Sequence, residues 1–206
     1  MIIVIFVLDI CCDLFQNKIM KFKKICDFAE IKSGYAFRGA IVDDANGDLP
    51  VVLPRNIVSK NFADCVKVKS AALATARRIP KNSVLVTNRG TFAACVFYGD
   101  FEAITTSGVF VVTLRSDAVV TPEFLALYIN SEIGQRQILA KQETMTVPAL
   151  TVRQLSELEI PLISKNKQVL LSGLYDVYCR RAALIAELQK TNTSFINQIL
   201  KGAING

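Results

Sequence analysis

Between residues 167 and 202 the chain has no proline, and before its last position only one glycine, Gly173, while apolar side chains recur every three to four positions. Leu174, Val177, Leu184, Leu188, Phe195 and Ile199 make up that stripe. The spacing predicts a helix of about 35 residues, about 52 Å long at about 1.5 Å per residue. The remainder of a chain of 206 residues cannot cover such a rod, so part of the stripe must meet another helix or another chain. Arg181, Thr191 and Gln198 interrupt the seam, which predicts a specific, partly polar pairing rather than a generic zipper.

Everything ahead of the rod has to supply a core of its own. A hydrophobic fraction of 51%, a charged fraction of 20% and a mean hydropathy of +0.36 exclude a disordered or collagen-like chain. Residues 21–30 place Phe22, Ile25, Phe28 and Ala29 on one helical face, predicting an opening helix. Short β-branched and aromatic runs come next at 50–53, 83–88, 93–98 and 108–114, bounded by Gly, Asn, Pro or Asp. They predict a curled, mostly antiparallel sheet. Thr121 and Pro122 then open a helix expected to run to about residue 140, with Gly134 inside it. Phe124, Leu125, Tyr128, Ile129 and Ile133 should face the sheet. Thr151 and Gln154 form a capping box for a short helix, and residues 160–162 form a terminal strand. The expected fold class is therefore α+β: one globular domain with a curled, mostly antiparallel sheet and packed helices, then a long coiled-coil-type helix.

Residues 1–19 differ in character from the rest of the chain. Their apolar run from Ile2 to Leu8 is broken by Asp9, too short to span a bilayer, and it has neither the basic start nor the small-residue cleavage site of a secretory signal. Met20 stands immediately before a basic segment, so residues 1–19 read as an upstream or non-native extension, or else as an added edge strand. The body is then 20–163 and the helical unit 164–206.

Catalytic chemistry is poorly served. The absence of histidine removes the commonest general base and zinc ligand. The six cysteines, at 11, 12, 26, 65, 95 and 179, have no C-x-x-C spacing and read as reduced thiols of a cytosolic protein. Neither a phosphate loop nor a dinucleotide fingerprint is present, and Asp100 and Glu102 lack the lysine that a metal-dependent nuclease would place beside them. No catalytic group, metal site or cofactor is expected.

Polar and basic residues beside turns are what the body offers instead, and they suit phosphate contacts and base-edge hydrogen bonds. The net charge of +6 favours a polyanionic partner. Lys32, Ser33, Tyr35 and Arg38 form one group around the turn SGYAFRG. Arg55, Asn56, Lys60 and Asn61 form a second, and Asn88, Arg89 and Thr91, with Gly90 between them, a third. From 60 to 89 there are seven basic residues and one acidic one, Asp64. A solvated positive face is the bland alternative for this run. Tyr35 and Phe37 could be base-stacking platforms or lids on a core. Thr144, Met145 and Thr146 could be a simple loop.

Taken in order, SGYAFRG (33–39), PRNI (54–57), IPKNSVLVTNRGT (79–91), PEFLALYINSEIGQRQI (122–138), TVPALTVRQL (146–155), IPL (160–162) and KQ (167–168) ahead of a long helix resemble one half of the specificity subunit of type I restriction-modification systems. The resemblance spans about residues 21–202. It implies a non-catalytic target recognition domain that reads half of a split duplex DNA site. It also implies a helix that docks methyltransferase and restriction subunits and sets the distance between halves. It does not assign residue roles. Arg38, Arg55, Lys60 and Arg89 are the candidates for phosphate or guanine contacts, and Asn56, Asn61, Asn88 and Thr91 for base reading.

Two departures stand out. A full subunit has two recognition domains and two such helices where this chain has one of each, so a half subunit, a recombination cassette or a truncated remnant is expected, with a homodimer or a second, different half as the pairing. The acidic, proline-rich lead into the long helix is replaced by residues 163–167, with Asn166 as the expected N-cap. The alternative function is an assembly or remnant protein whose helix binds partner subunits while the body is inert toward DNA. No membrane partner is expected, and the setting is cytoplasmic.

Overall fold

The computed structural model describes residues 21–73, 75–141 and 149–205. The expectations placed on 1–19 and on Thr144, Met145 and Thr146 lie outside the described residues.

The centre of the body is a four-stranded antiparallel sheet. Its strands are β2 (Ala29–Ser33), β5 (Ser83–Thr87), β6 (Ala94–Phe97) and β8 (Val109–Leu114), in the order β2-β8-β5-β6. Strands β5 and β8 bury both faces, which explains why each reads as a continuous apolar run rather than an alternating one. Val84, Val86, Phe110 and Val112 face one core with Ile25 and Phe28. Leu85, Val109 and Val111 face a second core with Val52, Ile57 and Phe97.

A second sheet has three strands, with a central strand, β3 (Leu49–Val52), between β4 (Val66–Val68) and β7 (Ile104–Thr105). Strand β3 is antiparallel to β4 and parallel to β7. The antiparallel character expected from the sequence holds, but the strands divide among three sheets instead of curling into one. Helix α1 (Pro54–Ser59) leaves β3 directly.

The opening helix expected over 21–30 does not form. The segment is β1 (Phe22–Lys24), a one-turn 3-10 helix (Ile25–Asp27) and then β2. The amides are claimed by neighbouring strands. Strand β1 pairs with β9 (Glu159–Pro161), Ile25 N–H donates to the Leu158 carbonyl at 3.1 Å, and β2 pairs with β8 along its length. The single 3-10 turn keeps Ile25 and Phe28 on one side, which imitates helical spacing over three residues.

Thr121 caps as predicted, its hydroxyl accepting from Phe124 N–H, but the helix it opens is two helices, α2 (Pro122–Asn130) and α3 (Glu132–Ala140). Ser131 breaks the run. Its backbone is extended (φ −72°, ψ 157°), and its hydroxyl donates to the Tyr128 carbonyl while accepting from Gly134 N–H. A Cβ on Gly134 would overlap the Tyr128 carbonyl oxygen, so the glycine permits this tight turn rather than being tolerated inside one helix. The break also leaves Ile133 exposed, contrary to expectation. Phe124, Leu125, Tyr128 and Ile129 are buried as expected. The Thr151 and Gln154 capping box opens α4 (Val152–Ser156).

Helix α5 (Lys165–Asn205) has 41 residues. It starts before Asn166, which therefore lies in the first turn rather than capping it; Gln168 N–H donates to the Ser164 carbonyl. Gln168 is fully buried at the root of the rod. Its side chain accepts from Thr121 N–H at 2.8 Å and donates to the carbonyls of Val119 and Ile163. Beyond the root, Leu174, Val177, Leu184, Leu188, Phe195 and Ile199 are each more than half exposed.

Candidate nucleic-acid interface

Two of the three polar groups read from the sequence meet at one end of the four-stranded sheet, and the third begins beside them. Because β2 and β5 flank β8, the exit of β2, the exit of β5 and the entry of β8 fall together. Gly34 N–H donates to the Val109 carbonyl at 3.0 Å, Ser107 N–H to the Tyr35 carbonyl at 2.8 Å, and Asn88 N–H to the Gly108 carbonyl at 3.1 Å. Gly34 is required by this meeting, since a Cβ there would lie 2.7 Å from the Thr105 carbonyl oxygen and closer still to that of Thr106. Helix α1 approaches from the side, with Pro54 against Gly108. Residues 149 and 150 also reach the cluster, through the Arg89 to Ala149 bridge and the Leu150 N–H bond to the Asn88 carbonyl.

This junction exposes Lys32, Ser33, Arg55, Arg89, Thr91 and Ser107, while Arg38, also exposed, follows Phe37, which packs on the core of the smaller sheet. Lys32 pairs with Glu30 at 2.7 Å. Gly90, with φ +69°, turns the chain at the tip beside Arg89. Thr87 folds its hydroxyl onto the Thr91 carbonyl and holds the hairpin. Asn88 is only 9% exposed; its Nδ2 donates to the Ser107 carbonyl at 2.8 Å, and its Oδ1 is the one buried side-chain polar atom among the described residues without a hydrogen bond.

Other candidates have different employment. Asn56 is buried, accepts from Leu53 N–H at 2.9 Å and donates to the Asn61 carbonyl at 3.0 Å, so it braces α1 and cannot read a base. Asn61 folds onto its own turn, donating to Asp64 and accepting from Ala63 N–H. Lys60 turns to the long helix, its Nζ lying 3.4 Å from Cys179 Sγ and 5.0 Å from the centre of the Tyr175 ring. Tyr35 and Phe37 pack edge to face at 5.0 Å against the core of the smaller sheet, which makes them lids. The basic run of 60–89 does not form one face. Lys69 pairs with Asp44 and Arg78 with Glu102.

Sequence reasoning missed the turn at 105–108. Its signal was present as TTSG between two apolar runs, but only pairing with β2 and β5 places Ser107 among the other turns. Among the described residues no group of three His, Cys, Asp or Glu side chains could hold a metal ion, and no helix is long and apolar enough to cross a membrane.

A family model described as the type I restriction modification DNA specificity domain matches residues 17–191. Similar solved structures include the type I restriction-modification S subunit from M. genitalium, at TM-score 0.57 and 18% identity, covering 88% of this chain and 44% of that one. A structure described for complex assembly and conformational transition of the type I R-M system matches at TM-score 0.60 and 14% identity, covering 93% and 47%. The HsdS subunit from Thermoanaerobacter tengcongensis matches at TM-score 0.52 and 16% identity, covering 80% and 38%. At these identities the likeness is one of fold, and the chain spans less than half the length of each. No curated protein matches it.

Proposed function

Because the chain belongs to the family of type I restriction modification DNA specificity domains, we propose that it reads one half of a split duplex target, without a catalytic group of its own, for methyltransferase and restriction subunits that act in the cytoplasm. The observation that carries this is the meeting of the SGYAF, NRG and TTSG turns at one sheet end. That arrangement gathers exposed cations and short polar side chains onto a rigid edge, and exposed backbone turns can approach a duplex groove closely.

Lys32, Arg38 and Arg55 suit phosphate contacts, being exposed and set around the edge. Arg89 stands at the hairpin tip next to a glycine, where a guanidinium can reach the O6 and N7 of guanine. Ser107 and Thr91 supply exposed hydrogen-bonding groups for neighbouring base edges, while Asn88, buried beneath them, holds the Ser107 carbonyl in place. The exposed stripe of α5 suits an antiparallel pairing with the same helix of a second half subunit, which gives two recognition domains related by a two-fold axis. An interrupted palindrome is the target such symmetry requires.

The test is a methylome. The chain is expressed with its methyltransferase subunit in a methylation-free host, beside a control lacking the chain, and N6-methyladenine is mapped. An interrupted palindrome that depends on the chain is the expected result. An asymmetric split motif means a second, different half. No motif despite co-purification of the two proteins leaves the assembly-only reading.

A further inference from the structure

Lys60 follows α1 with φ 53° and ψ 27°, a left-handed helix exit usually taken by glycine or asparagine because a Cβ is crowded there. A lysine in that position is explained by where its side chain goes. Its ammonium lies 5.0 Å from the centre of the Tyr175 ring and 3.4 Å from Cys179 Sγ. Tyr175 and Cys179 are four residues apart and share a face of α5.

The first turns of the rod pack on the body, with Leu171 against the main core, and Lys60 reaches the rod further out. Gln168 holds the root through three hydrogen bonds, and Lys60 holds a point two turns further, about 10 Å along the axis. Around these attachments is a cavity of about 490 Å³, lined by Ala94 and Val96 of β6, Ala126 and Asn130 of α2, and Val169 and Gly173 of α5. Rod and body are therefore not close-packed along this seam, and the lysine side chain spans it. Contacts confined to the base leave the rod a wider range of directions than the same contacts joined by a tether two turns further along.

We infer that Lys60 is a positioning residue: by holding Tyr175 and Cys179 it sets the angle between recognition body and long helix, and with it the spacing of half-sites that a paired molecule accepts. This rests on the split-target reading. The leverage is adequate, since a rotation of about 6° moves a point about 30 Å along the rod by about 3 Å, close to the rise of one base pair.

The experiment compares the full chain with Lys60→Met, Tyr175→Leu, their double variant and Lys60→Arg, each with the methyltransferase subunit in the methylation-free host. Wild type is expected to methylate a single spacer length. Lys60→Met and Tyr175→Leu should keep the same bases in each half while discrimination against spacers one base pair longer or shorter falls about two- to fivefold. The double variant should match either single one, and Lys60→Arg should restore the wild-type spacer, because a guanidinium also sits on an aromatic ring. Small-angle scattering of the same proteins without DNA should show a broadened distribution of body-to-helix distances in Lys60→Met. An unchanged spacer and unchanged scattering overturn the inference. So does a uniform loss of affinity with a salt slope about one unit shallower, which would make Lys60 a phosphate contact after all. A wild-type chain that directs no motif overturns the split-target reading itself, a distinct result.

Discussion

Asn56 and Asn88 are both buried asparagines beside turns, yet their side chains are used differently. Asn56 spends its carbonyl on Leu53 N–H and its amide on the Asn61 carbonyl. Asn56→Ala should therefore lower unfolding free energy by about 1–3 kcal/mol in a urea titration while leaving the methylated motif unchanged. Asn88 keeps an oxygen without a partner among the described residues, at the junction from which Arg89 projects. Arg89→Ala should relax one base pair of the motif, costing about 1–3 kcal/mol against the preferred base and little against the others, as read by competition binding with single-base variants of the site. Cys95 gives a pH prediction. Burial pushes its thiol from 9.0 up to about 12, so the folded protein keeps a proton that the unfolded chain gives up. Stability is then full below about 9 and falls as pH rises from there toward about 12. Cys95→Ala should flatten that alkaline decline, with unfolding free energy measured across the interval.

At the scale of elements, two helical glycines give opposite predictions. A Cβ on Gly134 would overlap the Tyr128 carbonyl, and the turn at Ser131 has no room to yield, so Gly134→Ala should destabilise by about 2 kcal/mol or more. At Gly173 a Cβ meets nothing within 4 Å, so Gly173→Ala should stabilise by about 0.5–1 kcal/mol. Thermal unfolding of the two variants should move the midpoint in opposite directions. The pair also explains what could be read from the sequence. Caps with local partners were legible, as at Thr121 and Thr151, because donor and acceptor lie within three residues. So were β5, β6 and β8, whose apolar runs are continuous. The break at Ser131 was not, because Gly134 is explained by a carbonyl that only the folded turn brings near. The segment at 21–30 failed for a related reason, as its amides are claimed by β8 and β9, more than eighty residues away in sequence. The candidate interface divided along the same line. Lys32, Arg55 and Arg89 were recognisable as basic residues beside turns, whereas Ser107 and the diversion of Lys60 to α5 depend on contacts between elements distant in the chain.

For the whole molecule the decisive quantity is how charge and the apolar stripe would combine in the proposed pairing of two copies. Leu184 and Leu188 lie four residues apart on α5, both more than half exposed and far from the root at Gln168. Two antiparallel copies of the rod would cover them against each other, and removing an exposed leucine from water contributes roughly 1.5–3 kcal/mol. Leu188→Glu should therefore shift sedimentation from a dimer to a monomer without changing the circular dichroism of the body. The same variant separates pairing from recognition. Lys32, Arg38 and Arg55 are the three proposed phosphate contacts of each body, so a monomer that uses all three should lose affinity with salt at a log–log slope of about −2.7, and a dimer engaging both halves at about −5.4. If both proteins fold and the slope halves on Leu188→Glu while the preferred bases of the half-site persist, recognition resides in the body and the rod supplies only the second copy. A slope that stays the same in the monomeric variant would mean that the second body never reached the duplex, and the two-fold arrangement would have to be abandoned.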